Sequence, residues 1–465
     1  MDVFIQIIQL LLSLSILVVL HEFGHYATAK FFGCRVEKFY LFMDWKFALF
    51  KKKIGETEFG IGWLPLGGYV KIAGFIDESM DTKGVETAPQ PWELRAKPAW
   101  QRLIVMLGGI FVNVVLAWFI YSMSFFILGK NTLPIENLKD GFTFNSSAEK
   151  LGFQDNDIIV SVDNKQLKNY SSLISSNILF GSTKKVVVER MGRKVTITIN
   201  QDSINSIIKN DLSRESANGP PFIQPNFRWE VGGFANNYKG EGLMIGDRFL
   251  AIDTIKTDFI SVGETGLLNN HRENLTNHIR SFNGSSIGVT VERRGQRFDL
   301  FLPVDSTGKI GVYHNIQNVK QGEIIINSPY YEKNPIGLFS AFKEGAYRTN
   351  DVIKMYVGQV VLIFSPSTGG YKHVGGVDTI RKLFPKTWDW ANFWALTAFL
   401  SIILAVMNLL PIPALDGGHA LIAFGEMVTG RKLPIKVLMP LQIAGMVILF
   451  ALMIYANGMD LLSYF

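Results

Sequence analysis

The chain has one cysteine, Cys34, in 465 residues, so it holds no internal disulfide and no thiolate cage, and any metal ion falls to histidine and carboxylate. Charge is scarce too. Only 18% of residues are charged against 48% hydrophobic and 12% aromatic, which excludes an ordinary soluble enzyme. The chain is still too polar to lie wholly in a membrane, so a hybrid of spanning and water-exposed parts is expected, about three domain-sized units by length. The formal charge of +6 comes with no basic run longer than Lys51-Lys52-Lys53 and no nucleic-acid motif. Nucleic acid is therefore excluded as a partner, and the charge is read as membrane topology. The first apolar run also lacks a positive leader, since Met1-Asp2 precedes it and no small-x-small cleavage site follows. A retained transmembrane helix is expected there rather than a signal peptide.

What the chain does have is long apolar stretches. A helix from Val3 to Phe32 would be about 45 Å long, enough for the hydrocarbon core and both headgroup layers. Further spans are expected over Leu103 to Leu128, over Phe393 to Leu410 behind the interfacial Trp388 and Trp390, and over Val437 to Tyr455. Lys30, Arg35, Lys38, Lys46 and Lys51 to Lys53 follow the first span, and Arg431, Lys432 and Lys436 lie between the third and fourth. The positive-inside rule puts these segments in the cytosol and both termini outside.

The expected organisation is a first transmembrane helix over 1–35, a membrane-associated β element over 36–75, and an interfacial segment with the second span over 76–129. Two modules follow over 130–210 and 211–330, then an amphipathic helix and linker over 331–390. The third span with its cytosolic loop covers 391–436 and the fourth covers 437–465. The β reading rests on alternation in Lys46 to Leu49 and Thr57 to Ile61, and on the run Leu64-Pro65-Leu66-Gly67-Gly68-Tyr69-Val70-Lys71-Ile72. The linker carries Gly369-Gly370 and Gly375-Gly376, and the helix before it, from Gly337 to Phe364, is expected on the membrane surface or against the two modules.

His21-Glu22-Phe23-Gly24-His25 ends the first apolar run. On a helix, histidines four apart stand one turn above the other, so both imidazoles can reach one zinc ion while Glu22 meets its water as general base. Ionisable groups at membrane depth are functional by default. The inner end of the third span carries Asn408-Leu409-Leu410-Pro411-Ile412-Pro413-Ala414-Leu415-Asp416-Gly417-Gly418-His419. Prolines two apart forbid a continuous helix, so irregular backbone here must be buried in protein or line a cavity. Asp416 offers a carboxylate as third ligand, or else the N-cap of a helix starting at Gly417. Two histidines, one carboxylate and an open fourth position form a catalytic rather than structural zinc set. His419 is read as an interfacial residue, with replacement ligand as its alternative. Asn113, an amide in the second span, is either glue between helices or a contact at the site.

The stretch between the second and third spans repeats itself. Gly152 to Asp163 parallels Gly242 to Asp253, and Val188-Glu189-Arg190-Met191-Gly192-Arg193 parallels Val291-Glu292-Arg293-Arg294-Gly295-Gln296. Two similar modules are implied, each with short strands, a Gly/Asp turn, a helix and a closing hairpin. The pattern resembles the PDZ family, whose peptides add as a strand beside an exposed edge. Peptide capture and a rigid lid or spacer remain open alternatives.

With HEFGH in the first span, Leu415-Asp416-Gly417 near the cytosolic end of a later one and PDZ-like modules between, the whole chain resembles the site-2 protease family, in its bacterial regulator of sigma-E protease type. The resemblance implies a multi-pass α-helical membrane protein with four transmembrane helices, a membrane-associated β element and two PDZ-like α+β domains. It implies an intramembrane zinc metalloprotease of the bacterial inner membrane that cuts transmembrane segments of anti-sigma factors or remnant signal peptides after an upstream outer-side protease. The PDZ-like domains would be periplasmic and the zinc site would lie toward the cytosol. His21, His25 and Asp416 match the Zn2+ ligands and Glu22 the base, while Asn408, Pro411 and Pro413 match a substrate-handling segment, and Asn113 joins them as a candidate substrate contact. Two departures stand out: Gly109-Ile110-Phe111-Val112-Asn113 has Ile where many relatives have Pro, and Leu41-Phe42-Met43-Asp44 replaces a frequent Gly-Phe-Gly-Pro. The competing reading is a multi-pass scaffold or metal transporter with PDZ modules, in which Glu22 need not stand between the histidines.

Overall fold

The computed structural model describes residues 2–64, 67–75, 88–170, 173, 178, 183–210, 222–235, 238, 240–257, 260–263, 266–269, 274–314, 318–320, 323–325, 330–365, 371 and 374–462. Pro65, Leu66, Gly369 and Gly370 lie outside these residues. Among them, four helices are long and apolar enough to cross a membrane: Val3–Phe31, Ala99–Leu128, Trp390–Leu409 and Lys436–Leu462. The chain divides into two compact units, one of residues 1–129, 336–360 and 374–465, the other of 130–335 and 361–373.

Among the described residues the first unit has six helices of more than ten residues, α1 (Asp2–Phe31), α2 (Ala99–Leu128), α3 (Leu338–Ile363), α4 (Trp390–Leu409), α5 (Asp416–Thr429) and α6 (Ile435–Leu462), and a short one over Val377–Leu383. Helices in lipid gain little from hiding apolar surface, so contact is made by small residues and interhelical hydrogen bonds. The crossing of α1 and α2 is an instance. A Cβ on Gly24 would lie 2.3 Å from the Gly108 carbonyl oxygen, and one on Gly108 would lie 2.6 Å from that of Gly24. Ser13 meets Thr397 at 3.0 Å across α1 and α4, and Ser401 of α4 donates to the Asn113 carbonyl of α2 at 2.7 Å. Helix α3 buries the stripe Ala341, Gly345, Thr349, Val352 and Val360. It shares an apolar cluster with Ala117 and Ile120 of α2 and Ile402 of α4, so its apolar face goes to the helices.

A four-stranded sheet follows α1, made of β1 (Val36–Leu41), β2 (Met43–Ile54), β3 (Thr57–Leu64) and β4 (Tyr69–Ile72) in the order β2-β3-β1-β4. Strands β1 and β3 run parallel, and the other neighbours are antiparallel. One face packs on α1, where Tyr26 meets Phe39 at 5.7 Å and Phe59 at 5.8 Å. Among the described residues, β2 and β4 are the outer strands of this sheet.

In the second unit the sequence repeat becomes a repeat of topology. Strands β5 (Ile158–Val162), β6 (Lys165–Gln166), β7 (Lys185–Arg190) and β8 (Arg193–Thr198) lie in the order β8-β7-β5-β6. Strands β9 (Arg248–Ile252), β10 (Ile255–Lys256), β11 (Ser286–Arg293) and β12 (Gln296–Pro303) lie in the matching order β12-β11-β9-β10. Both closing hairpins turn on two residues at positive φ, Met191-Gly192 and Arg294-Gly295, whose twist suits a two-residue hairpin. A short helix, Leu275–Ser281, precedes the second hairpin; its expected counterpart falls in 171–182, where only Leu173 and Ile178 belong to the described residues. Residues Ile223–Pro225 pair with Phe142–Phe144, so the first module draws a strand from beyond residue 210.

The repeated Gly, Asp and Arg form one clamp twice. Arg190 holds Asp157 through two bonds of 2.7 Å and reaches the Gly152 carbonyl at 2.8 Å. Arg293 holds Asp247 through two bonds of 2.7 Å and reaches the Gly242 carbonyl at 2.6 Å. Burial pushes the Asp247 carboxyl up, but the Arg293 bonds and the Met244 N–H outweigh it and hold it below its ordinary value. Its stabilisation is therefore complete at neutral pH and fades as pH falls through the carboxylate range. Arg190→Met should cost about 3–5 kcal/mol by leaving Asp157 buried without its cation. Limited proteolysis of the full chain should report faster cutting within 130–335, both in this variant at pH 7 and in the wild type near pH 3.

Candidate metal centre

The helical spacing of His21 and His25 brings both rings to one face of α1, edge to face with centroids 4.9 Å apart. Their Nε2 atoms stand 3.3 Å apart. Asp416 Oδ2 lies 3.1 Å from His21 Nε2 and 3.2 Å from His25 Nε2. Asp416 is the first residue of α5 behind an N-cap at Leu415, and makes no side-chain capping bond there. Among the described residues, these three form the one group whose atoms could hold a metal ion.

Support for each ring comes from α2. His25 Nδ1 donates to the Val105 carbonyl at 2.8 Å, because a carbonyl can only accept. In the neutral ring this leaves a lone pair on Nε2, aimed at the carboxylate. The amide of Asn113 meets His21 Nδ1 at 3.1 Å, and its buried oxygen, which has no partner, is the end an Nδ1–H needs. Buried Asp416 Oδ2 accepts no hydrogen bond despite its two close nitrogens. Acceptors turned toward one another at this distance repel unless a cation lies among them. A tetrahedral zinc site with bonds of about 2.0–2.1 Å has ligand–ligand edges of about 3.3–3.4 Å, close to those observed. The donor set fits zinc, and the second contact on each ring is the kind that orients a metal-binding histidine.

The centre opens into a cavity of about 680 Å³. His21, Glu22, His25, Asn408, Asp416 and His419 line it, together with Lys38, Asp44 and Gly68 to Ile72 of the β element. Asn408 ends α4 with its amide nitrogen 3.3 Å from His21 Nε2. Pro411 and Pro413 do not line the cavity; they shape the loop from α4 to α5, and the Pro413 carbonyl faces Gly445 of α6, where a Cβ would come within 2.3 Å of it. Asn113 is fully buried behind His21, outside the cavity lining. His419 stands edge-on to Phe75 at 4.9 Å and is not part of the three-residue group.

Comparison with known proteins meets this geometry with a match to the model of peptidase family M50 over residues 9–452. The chain belongs to peptidase family M50. A Vibrio cholerae serotype O1 protein provisionally named a zinc metalloprotease is 28% identical, covering 98% of both chains. The regulator of sigma E protease of Haemophilus influenzae is 25% identical over 96% of both. A Clostridium perfringens protein, again provisionally named a zinc metalloprotease, is 25% identical over 98% of both. As an M50 peptidase the chain is a hydrolase, and the two histidines of its candidate centre sit on a helix long and apolar enough to cross a bilayer.

Reading the sequence for ligands overlooked the glycines that make room for them. A Cβ on Gly109 would lie 2.5 Å from His25 Nε2 and 2.6 Å from His21 Cε1. Gly109 and Asn113 are four apart on α2, so one helix face supplies both the gap and the amide. The signal was present in the run Gly109 to Asn113, without the residue it would face. Gly109→Ala should lower the zinc bound per purified chain about tenfold or more at limiting zinc, whereas Gly425→Ala, in open space on α5, should leave it unchanged. Metal analysis after dialysis measures both.

Proposed function

We propose that this chain is a zinc-dependent endopeptidase that hydrolyses peptide bonds within transmembrane segments of other membrane proteins. One observation carries the reading: two imidazoles and a carboxylate share a cavity with Glu22 and β4, an outer strand of its sheet among the described residues, in a member of a peptidase family. Zinc held by His21, His25 and Asp416 would acidify a water and polarise the scissile carbonyl. Glu22 accepts the proton of the attacking water on its carboxylate and returns it to the departing amine. Asn408 directs its amide hydrogens at the substrate backbone beside His21. A helical segment resists attack because its carbonyls are already bonded, so it must unwind. Five successive residues, Gly68 to Ile72, line the cavity, as a strand does when its backbone edge faces it, and the unwound segment adds there as a strand. Asn113 supports His21, and Pro411 and Pro413 keep the loop before Asp416 out of a helix.

The lysines and arginines after α1 and between α4 and α6 support a centre toward the cytosol of a bacterial inner membrane, with residues 130–335 on the outer side. The name of the H. influenzae relative supports substrates of the anti-sigma-factor kind, and remnant signal peptides share their form, a single membrane segment trimmed first by an outer-side protease. The repeated four-stranded sheets support the PDZ-like reading, in which the modules act as a size filter. Deleting 131–330 should then allow cleavage of reporters with longer outer domains; loss of all binding would favour peptide capture.

Glu22→Gln should slow chelator-sensitive cleavage of a transmembrane reporter by about 10²–10⁴-fold while zinc content stays level. Metal uptake into vesicles with no proteolysis by the wild type would overturn the protease reading in favour of a transporter.

A further inference from the structure

A second cavity, of about 380 Å³, adjoins the one that holds the candidate centre. The two share Phe75, Met106 and His419 as lining residues, so they meet at these side chains. Each of the three stands next to the chemistry. His419 comes three residues after Asp416 on α5, Met106 follows the Val105 whose carbonyl holds His25, and Phe75 lies edge-on to His419 at 4.9 Å. From there the second chamber follows two helices away from the centre: along α2 from Met106 to Arg102, and along α5 from His419 through Ile422 and Ala423 to Glu426. Seven residues of helix span about 10 Å. Charge marks the far end. Arg102 pairs with Glu426, which also accepts from the Leu433 N–H at 2.8 Å. Lys432 lines the same chamber and donates to the Arg95 carbonyl at 3.0 Å; among the described residues it meets no carboxylate. The walls between are apolar, from Leu94, Ile422, Ala423, Leu433, Pro434 and Leu438.

We propose that this second chamber receives about three unwound residues of the substrate on one side of the scissile bond, and that Lys432 at its far end favours an acidic residue there. This rests on the reading of the first cavity as the substrate site. Length carries the argument. Unwinding one turn of a helix frees between three and four residues. Three residues of extended chain, at about 3.3 Å each, cover the distance from His419 to the Arg102–Glu426 pair. The chamber thus has the length of the chain that the chemistry must release. Its apolar walls suit the side chains of a membrane segment, and its volume lies within the range of about 300–1,000 Å³ usual for binding cavities. Glu426 already holds Arg102, whereas Lys432 keeps two hydrogens after its bond to Arg95, so an acidic side chain is attracted there and a basic one repelled.

The test locates the substrate directly. Full-length protein in liposomes carries Cys34→Ala to remove its one cysteine and Glu22→Gln to prevent turnover, with either Ile422→Cys near the shared residues or Leu433→Cys at the far end. Membrane peptides with one cysteine at each successive position are added, and disulfides are counted against a Val447→Cys control on the exposed face of α6. Ile422→Cys should capture one position close to the cut, and Leu433→Cys a position two or three residues further along on the same side. Capture no better than the control, or the same position at both sites, would overturn the chamber and leave the protease reading standing. In the otherwise unaltered enzyme, Leu438→Trp should fill the chamber and lower kcat/KM about tenfold or more at level zinc content, while Val447→Trp should not. If the cysteine variants do not fold, these two decide, and equal rates overturn the chamber. At the position captured by Leu433→Cys, a reporter with Asp should be cut about twofold to fivefold faster than one with Lys. Lys432→Met should bring that ratio near one; a ratio that survives it would overturn the role of Lys432. Failure of the wild type to cut any reporter would sink the cavity reading, and the chamber with it.

Discussion

Three ionisable groups at membrane depth must satisfy one another, and the helical unit is arranged around that requirement. A carboxylate oxygen buried against two imidazole nitrogens at 3.1 and 3.2 Å accepts no hydrogen bond from either. The structure answers on both sides of the rings. Toward the cavity the three groups converge as a ligand set converges on a cation; away from it, the Val105 carbonyl and the Asn113 amide take the Nδ1 atoms. A member of peptidase family M50 thereby gains a chemical centre where hydrocarbon would otherwise exclude one.

That arrangement sets how closely the helices approach. Helix α2 must come near enough to α1 for its backbone to bond His25, which the mutual contact of Gly24 and Gly108 permits, and it must still leave space for two rings, which Gly109 provides. Helix α5 delivers Asp416 from the other side and packs Ala420 with Val105 and Met106 of α2. An ion pair between Arg102 and Glu426 ties the two helices again beyond the cavity. Irregular backbone from Leu410 to Leu415 keeps bonds of its own, from the Ile412 N–H to the Leu410 carbonyl and from the Leu415 N–H to the Ile412 carbonyl, with Gly417 and Gly418 packed against its carbonyls. Small residues and bonded backbone do the work that apolar burial does in a water-soluble protein.

The β element divides its two faces between structure and chemistry. Phe39 and Phe59 anchor it on α1, while Tyr40, Tyr69, Lys38 and Asp44 face away from that helix. Strand β4, an outer strand among the described residues, lines the cavity together with Glu22. The departure from Gly-Phe-Gly-Pro at Leu41 to Asp44 thus puts a carboxylate into the cavity wall.

The spans, HEFGH with its distant Asp416, and the repeat with its paired turns were all legible in the chain, because hydropathy, helical spacing and turn residues are local properties that need no partner. The sequence could propose Asp416 as a ligand or a cap, and Asn113 as glue or a contact. It had no means to choose. Those choices depend on which atoms meet across separations such as 80 residues for His25 and Val105, 92 for Asn113 and His21, and 387 for Asn408 and His21. The need for glycine at 109 and the turn of Asp44 toward the cavity are likewise facts about a neighbour. A local pattern records what a residue can do, and only packing supplies the neighbour to which it does it.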